Sequence, residues 1–423
     1  MKRLNIIIKG IIVTFFIISN NPSNLNGQIV DNKIVAGTID SIYSKVLNEK
    51  RKMWVYVPDS NSLSLYRIKE YPVIYLLDGD EHFLSVTGMI KQLSQLGRCP
   101  EMIVVGILNT DRVRDLTPTH VNTKSAEDIT SGGGENFTKF IYKELIYHID
   151  SLYPTAPYRM LIGHSFGGLM VANTLLNHSQ LFNSYVAIDP SMWWDNERLL
   201  KEFAATLPKE KYERKSLYLA MANSMNPNID TMVVRTDTSE STNSPRSILH
   251  FVDILKSNHQ NGLNWCWKYY QDYDHGTIPL IAEYDALQFI FKSYKLPSSL
   301  FDKVIEKYFD SGTIDIYYNS DSTIIAHYKN LSNELGYEFL PPKVLLSITG
   351  YIYQQKKIFD KSYIFRKMNV DYYPKSADVY TDMGELYYAK GDKQKAIEYY
   401  LKALTIEESP IIREKLQKLK SEN

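Results

Sequence analysis

The chain has little cysteine: two in 423 residues, Cys99 and Cys266. Two thiols exclude a framework of several disulfides. Their flanks, "GRCPE" and "NWCWKY", read as a loop and a buried strand, which leaves one bridge or two unpaired thiols equally open. No His or Cys pair has the spacing of a zinc site, so neither a metal nor an organic cofactor is expected. Charge of one sign is also lacking: Lys+Arg and Asp+Glu are 48 each, for a formal net charge of +0 at pH 7. That balance leaves no electrostatic footprint for nucleic acid and no acidic tail, and it directs attention to a small molecule or a protein surface. The glycine run "SGGGENFTK" (Ser131 to Lys139) lacks the Gly-Lys-Ser/Thr ending of a phosphate loop and reads as a flexible lead into a helix.

Long apolar runs are equally scarce. The opening stretch, "MKRLNIIIKGIIVTFFIISNN", is basic, then apolar, then polar, and Lys9 interrupts it. It is too short and broken for a spanning helix and has the layout of a secretory signal. Residues 1–27 are therefore expected to direct export to a periplasmic or extracellular location. An uncleaved inner-membrane anchor is the rival, and the one expected route to a membrane. No cysteine follows the run, so lipid attachment there is not expected. The 32 tyrosines are scattered, which suits core and surface filling better than a sugar-stacking platform.

What is present is a series of short, nearly continuous apolar runs: "VIYLL" from Val73, "MIVVGI" from Met102, "RMLIG" from Arg159, "YVAI" from Tyr185, "LYLAM" from Leu217 and "WCWKYY" from Trp265. Runs without polar alternation suit strands covered on both faces, meaning a mainly parallel sheet. Between them, Phe137, Ile141, Leu145 and Ile149 recur every four residues, and Leu249, Val252 and Leu255 every three, as on helices. The pattern predicts an α/β domain over 28–298 with helices on both faces of the sheet. The alternation in "MWVYV" marks an antiparallel lead-in. Past Pro297 the strand runs stop: 299–340 reads as a linker and helix, with "DSGTIDIYYNSDS" irregular, and 341–423 as a small all-α unit.

In that last unit Tyr380, Gly384, Tyr387, Ala396, Tyr400 and Ala403 match the tetratricopeptide pattern, in which small residues let two antiparallel helices approach closely. Gly350 and Tyr353 repeat Gly384 and Tyr387 one 34-residue period earlier, and Pro374 closes the degraded first unit. Two repeats rarely bury a stable core alone, so they are expected to stack on the preceding helix or on the α/β domain.

Gly163-His164-Ser165-Phe166-Gly167 satisfies Gly-x-Ser-x-Gly. Three fixed positions match by accident at roughly 3 in 10,000 sites, so the motif alone is weak. Its context is stronger: an apolar strand run precedes it and "GGLMVANTLL" starts a helix. Flanking glycines remove the Cβ atoms that would collide where strand becomes helix within one residue. A plain Gly-Ser turn is the competing reading. The preferred one makes Ser165 a nucleophile, presented above the N-terminus of a helix. Of the downstream histidines, His250 and His259 fall in or beside a helical pattern and His327 lies past the domain change. His275 follows the last strand run, where a parallel sheet gathers ligand chemistry, and becomes the expected general base.

In this chain order the acid usually follows the strand before the last, where Asp230, Asp237 and Glu240 are offered. Asp230 is the first choice; Asp272 and Asp274 adjoin the histidine but read as solvent-facing, and a dyad without a carboxylate stays open. For an oxyanion, the amide of Phe166 is one expected donor, and that of Gly79 or Asp80, after "VIYLL", the other.

At these residues the sequence resembles the esterase family of α/β-hydrolases that includes enterobactin (ferric siderophore trilactone) esterases and esterase D-like and feruloyl esterase relatives. The carrying stretches are "YPVIYLLDGDEHF", "NTDRVRDLTPTH", "LIGHSFGGL", "AIDPSMWWDN" and "DYDHGTIPL", spread over roughly residues 40 to 295. The resemblance implies Ser165 as nucleophile and His275 as base, and Arg112, Asp115, Trp193 and Trp194 around the acyl or leaving-group pocket. It implies a serine carboxylic-ester hydrolase acting through an acyl-enzyme on a siderophore-like or carbohydrate-like ester. Transfer of the acyl group to an alcohol or sugar, or a non-catalytic scaffold recruiting a protein through its repeats, are the alternatives.

Overall fold

A computed structural model describes residues 29–30, 33–58, 70–122, 129–224 and 230–421. The expected export signal at 1–27 lies outside the described residues. Eight strands form one sheet: β1 (Thr38–Ser44), β2 (Glu49–Tyr56), β3 (Tyr71–Leu76), β4 (Ile103–Ile107), β5 (Thr155–His164), β6 (Ser184–Ile188), β7 (Ser216–Ala222) and β8 (Asn264–Tyr270). Their spatial order is β8-β7-β6-β5-β3-β4-β2-β1. From β8 to β4 all pairings are parallel, while β2 pairs antiparallel with β4 and β1 with β2. The expected α/β architecture and its antiparallel lead-in are what the chain forms. Every residue of β3, β4 and β6 is buried, as strands covered on both sides require.

The helices that matter for the site are α1 (Gly79–Gln95), α2 (Arg112–Leu116), α3 (Gly134–Phe140), α4 (Ile146–Leu152), α5 (Phe166–Asn177), α6 (Trp194–Thr206), α7 (Thr231–Val234), α8 (Asn243–Ser257) and α9 (Ile278–Ile290). The four-residue recurrence at Phe137, Ile141, Leu145 and Ile149 has a local cause. On a straight α-helix each such step overshoots a full turn by about 40°. A π-helical turn at Ile141–Leu145 joins α3 to α4 and loosens the winding, so all four side chains are buried in the same core.

One apolar core lies under α3, α4, α5, α6 and α8; a second lies on the opposite face under α1 and α9. That second core runs on into α10 (Ser320–Leu335), α11 (Lys343–Gln355) and α12 (Phe359–Tyr372), with Ile324, Tyr328, Leu346, Tyr353 and Phe365 joining Ile74, Met160 and Val186 of the strands. Tyr158 of β5 packs its ring against Phe291 and Tyr337 at 5.9 and 6.0 Å between centroids. The strong repeat forms α13 (Ala377–Ala389) and α14 (Lys393–Ile406), followed by α15 (Pro410–Ser421), around a smaller third core. A Cβ on Gly384 would lie 2.6 Å from the Tyr400 ring, which is the close approach the repeat pattern demands. Both thiols are free: Cys99 is buried in the second core and Cys266 is half-buried against it.

Candidate active site

Strand β5 ends at His164 and α5 begins at Phe166, so Ser165 alone makes the corner, with φ 59° and ψ −117°. Such a backbone is costly for a residue with a Cβ and persists only where the surroundings enforce it. Here a Cβ on Gly163 would sit 2.4 Å from the backbone of Gly167, and one on Gly168 would sit 3.0 Å from Ile188 O and from Pro190. Glycine is the residue that lets these segments close on one another. The Ser165 amide donates to Ile188 O at 2.9 Å, its carbonyl accepts from Ser191 N at 3.1 Å, and its hydroxyl lies 3.4 Å from the Ser191 hydroxyl. The elbow is thus tied to the end of β6.

The same strand end carries an aspartate. Asp189, buried and with φ 40°, follows Ile188 directly. Its Oδ1 accepts from Ala222 N at 2.8 Å, and its Oδ2 lies 2.6 Å from His275 Nδ1. His275 sits in the turn between β8 and α9. Asp274 holds that turn, accepting from the amides of Gly276 and Thr277 at 3.0 and 2.9 Å, and the Thr277 contacts first of all hold its carboxyl below the usual range. Asn223, just past β7, donates to Tyr273 O and Gln271 O and anchors the loop from beneath. The His275 ring lies 4.4 Å from that of His164, the neighbour of Ser165. Burial, with the charges of His275 and His82 behind it, pushes His164 down to about 4. Its ring therefore stays neutral near pH 7 beside that of His275.

Asp230, expected as the acid, is elsewhere. It is exposed and caps the one-turn helix α7, accepting from Met232 N at 3.1 Å. The carboxylate that meets the histidine comes one strand earlier. The signal was visible in "AIDP": an aspartate just beyond an apolar parallel strand, at the edge where Ser165 also emerges.

Gly79 and Asp80 open α1, so their amides have no acceptor within the helix; the same holds for Phe166 at the start of α5. Gly79 passes directly over β4, since a Cβ there would lie 2.4 Å from the Gly106 backbone. Asp78 precedes it in the left-handed region (φ 51°, ψ 45°), with its carboxylate against Gly167. The first turns of α1 and α5 therefore meet at one corner of the sheet, where two helix N-termini favour negative charge.

The four expected pocket residues separate. Arg112 pairs with Asp78 through Nε and Nη2, at 2.7 and 2.9 Å. Asp115 is buried, with its oxygens taken by Arg51 and by Arg114 at 2.7 Å, so it braces the strand layer and is not open to a ligand. Trp194 is buried edge-on to Phe166, its indole N–H donating to Thr119 O at 3.2 Å. Trp193 is only partly buried, packed against the first core with its ring 6.2 Å from that of Phe166.

The family model described as "Putative esterase" matches residues 44–271, more than half of the chain. The chain belongs to this esterase family. Its tail matches a tetratricopeptide repeat model over 377–410. A ferri-bacillibactin esterase, BesA, of Bacillus subtilis (strain 168) is 34% identical over 152 residues, covering 31% of this chain and 52% of the relative. A siderophore triacetylfusarinine C esterase of Aspergillus fumigatus is 28% identical over 152 residues, covering 33% and 51%. The chain spans about half the length of the curated relatives it matches. Among solved structures, an IroE-like serine hydrolase from Shewanella oneidensis, 28% identical, superposes with a TM-score of 0.63 over 79% of this chain and 99% of that one. A Capnocytophaga ochracea protein described as uncharacterised, 20% identical, shares the fold with a TM-score of 0.57 over 91% of this chain and 99% of its own.

Proposed function

We propose that this esterase-family chain is a serine carboxylic-ester hydrolase whose substrate is a siderophore-type ester. The contact between His275 and Asp189, formed beside the strained Ser165 corner, carries this reading. With Nδ1 engaged by the carboxylate, Nε2 is the nitrogen left to take a proton. Ser165 Oγ attacks the ester carbonyl as Nε2 accepts the hydroxyl proton. The tetrahedral oxyanion is received by the Phe166 amide and by that of Gly79 or Asp80, whose donors need no rearrangement as charge develops. The imidazolium then protonates the leaving alcohol, and water, deprotonated by the same nitrogen, releases the acid from Ser165. Trp193 and the Phe166 ring form the apolar wall facing the acyl or alcohol part.

The substrate class is supported by the relatives, which are named for esterases of siderophores, and not by the pocket's shape. Ser165→Ala is expected to abolish turnover of a short chromogenic ester and labelling by a fluorophosphonate, with unfolding unchanged. Labelling that survives this substitution refutes the assignment. A panel of siderophore esters against acylated sugars tests the substrate class, and preference for the sugars would redirect it.

A further inference from the structure

We propose that Arg112 is a positioning residue that fixes the spacing of the two oxyanion donors, a role that rests on the hydrolase reading above. The donors follow neighbouring strands and meet at one corner: Gly79 and Asp80 after β3, Phe166 after β5. The β3–β5 ladder carries them side by side as far as the bond from Leu77 N to Ile162 O, at 2.9 Å. Stabilisation of an oxyanion depends on both N–H groups being held at hydrogen-bond distance from one point, so the spacing of the two turns beyond that ladder matters as well.

Arg112 touches both. Its Nε and Nη2 form a fork on the Asp78 carboxylate, and Nη2 also donates to His164 O at 3.3 Å, one residue before the nucleophile. The guanidinium lies over the Phe166 ring, 5.6 Å from its centroid. Asn109 completes the set by donating to Asp78 Oδ1 at 2.7 Å.

Asp78 shows the arrangement from the other side. An aspartate before a helix ordinarily turns its carboxylate back to cap the first amides. Asp78 makes no such bond; its carboxylate, 2% exposed, points away to Arg112 and Asn109. The amides of Gly79 and Asp80 are thereby left uncapped for another acceptor. The left-handed backbone at Asp78 that permits this is held by the same ion pair. Arg112 was expected to face the substrate; its fork is instead engaged with the protein.

The test uses the full chain and compares Arg112→Gln, Arg112→Lys and the double variant Asp78→Asn/Arg112→Gln. The double variant removes both charges together, so it leaves no buried unpaired carboxylate to compromise folding. Steady-state rates are measured on a neutral chromogenic ester and on one bearing a carboxylate. Displaced donors weaken only the transition state, so kcat should fall about 10- to 100-fold, with KM within about 3-fold for both esters. Lysine should not rescue, because it offers a point charge in place of the fork. Three results overturn the clamp: unchanged kcat in the double variant, full rescue by lysine, or a loss confined to KM of the carboxylate ester. Fluorophosphonate labelling of the wild-type chain separates the two levels. Without it the hydrolase reading falls and the clamp with it; with it, those three results count against Arg112 alone.

Discussion

Replacing Asp189 by Asn probes the acid through a constraint built into its surroundings. Oδ1 accepts a buried backbone amide, Ala222 N at 2.8 Å, and Oδ2 meets His275 Nδ1 at 2.6 Å. Asparagine has one acceptor and one donor. An unmet backbone N–H in a buried strand costs about 1–3 kcal/mol, so the amide oxygen should stay on Ala222. The NH2 group then faces His275 and can bond only to an unprotonated Nδ1. That choice places the ring proton on Nε2, the nitrogen that has to accept one from Ser165. A reversed tautomer of this kind lowers kcat by about 10,000-fold in a well-studied serine protease, roughly 5.5 kcal/mol of activation free energy. We expect a fall of about 1,000- to 10,000-fold in Asp189→Asn, measured on a chromogenic ester with active-site titration and a thermal melt within a few degrees of wild type. Asp230→Asn should change kcat by less than about 2-fold, because its bonds are confined to the cap of α7. Retention of a tenth of kcat in the first variant, or an equal loss in the second, would refute the assignment.

Two further outcomes concern stability. Burial raises the carboxyl of Glu283 from 4.5 to about 8, with Ser85 alone opposing the shift, while His82 beside it is lowered by burial, so their contact at 3.5 Å is between neutral groups near pH 7. Because the folded pKa is the higher one, the unfolded chain releases this proton first, and stability is lost as pH rises from about 4.5 to 8. Glu283→Gln should remove that loss, leaving urea unfolding about 3–5 kcal/mol more favourable to the native state at pH 8 than in wild type but little changed at pH 4; equal effects at both pH values would contradict it. In the repeat, Gly384→Ala places a methyl 2.6 Å from the Tyr400 ring and should destabilise by about 1–3 kcal/mol, read as a lowered thermal midpoint, whereas a raised midpoint would show that the helix gains more from alanine than the groove loses.

The strands were legible because burial on both faces leaves unbroken apolar runs in β3, β4 and β6, and the half-exposed edge strand β8 carries a run of the same kind; each of the six runs from Val73 to Tyr270 lies within or overlaps one strand. The Ser165 corner was legible because a turn this tight demands glycine at set positions, and the placement of His275 because it follows a strand at the sheet edge where Ser165 emerges. The contact of Asp189 with His275 was not legible, for a different reason. Chain order is a habit of related folds, and the physical requirement is only that a carboxylate reach Nδ1, which a neighbouring strand end meets as well. Arg112 reads as a free charge in sequence because its partner, Asp78, is 34 positions away and nothing local announces the pairing. The four-residue recurrence in 137–149 marked a helix but could not reveal the π turn that keeps those residues on one side.

The apolar plane that carries β3, β5 and β6 on its rear side is sealed in part by α10 to α12, far beyond Pro297. A protease cut or premature stop in that tail would therefore strip cover from the very sheet that shapes the Ser165 corner. Loss of hydrolysis in such a fragment would report collapse of its support, whatever the repeats themselves do. Any partner that gripped these helices tightly enough to bend them would be pulling on the same slab.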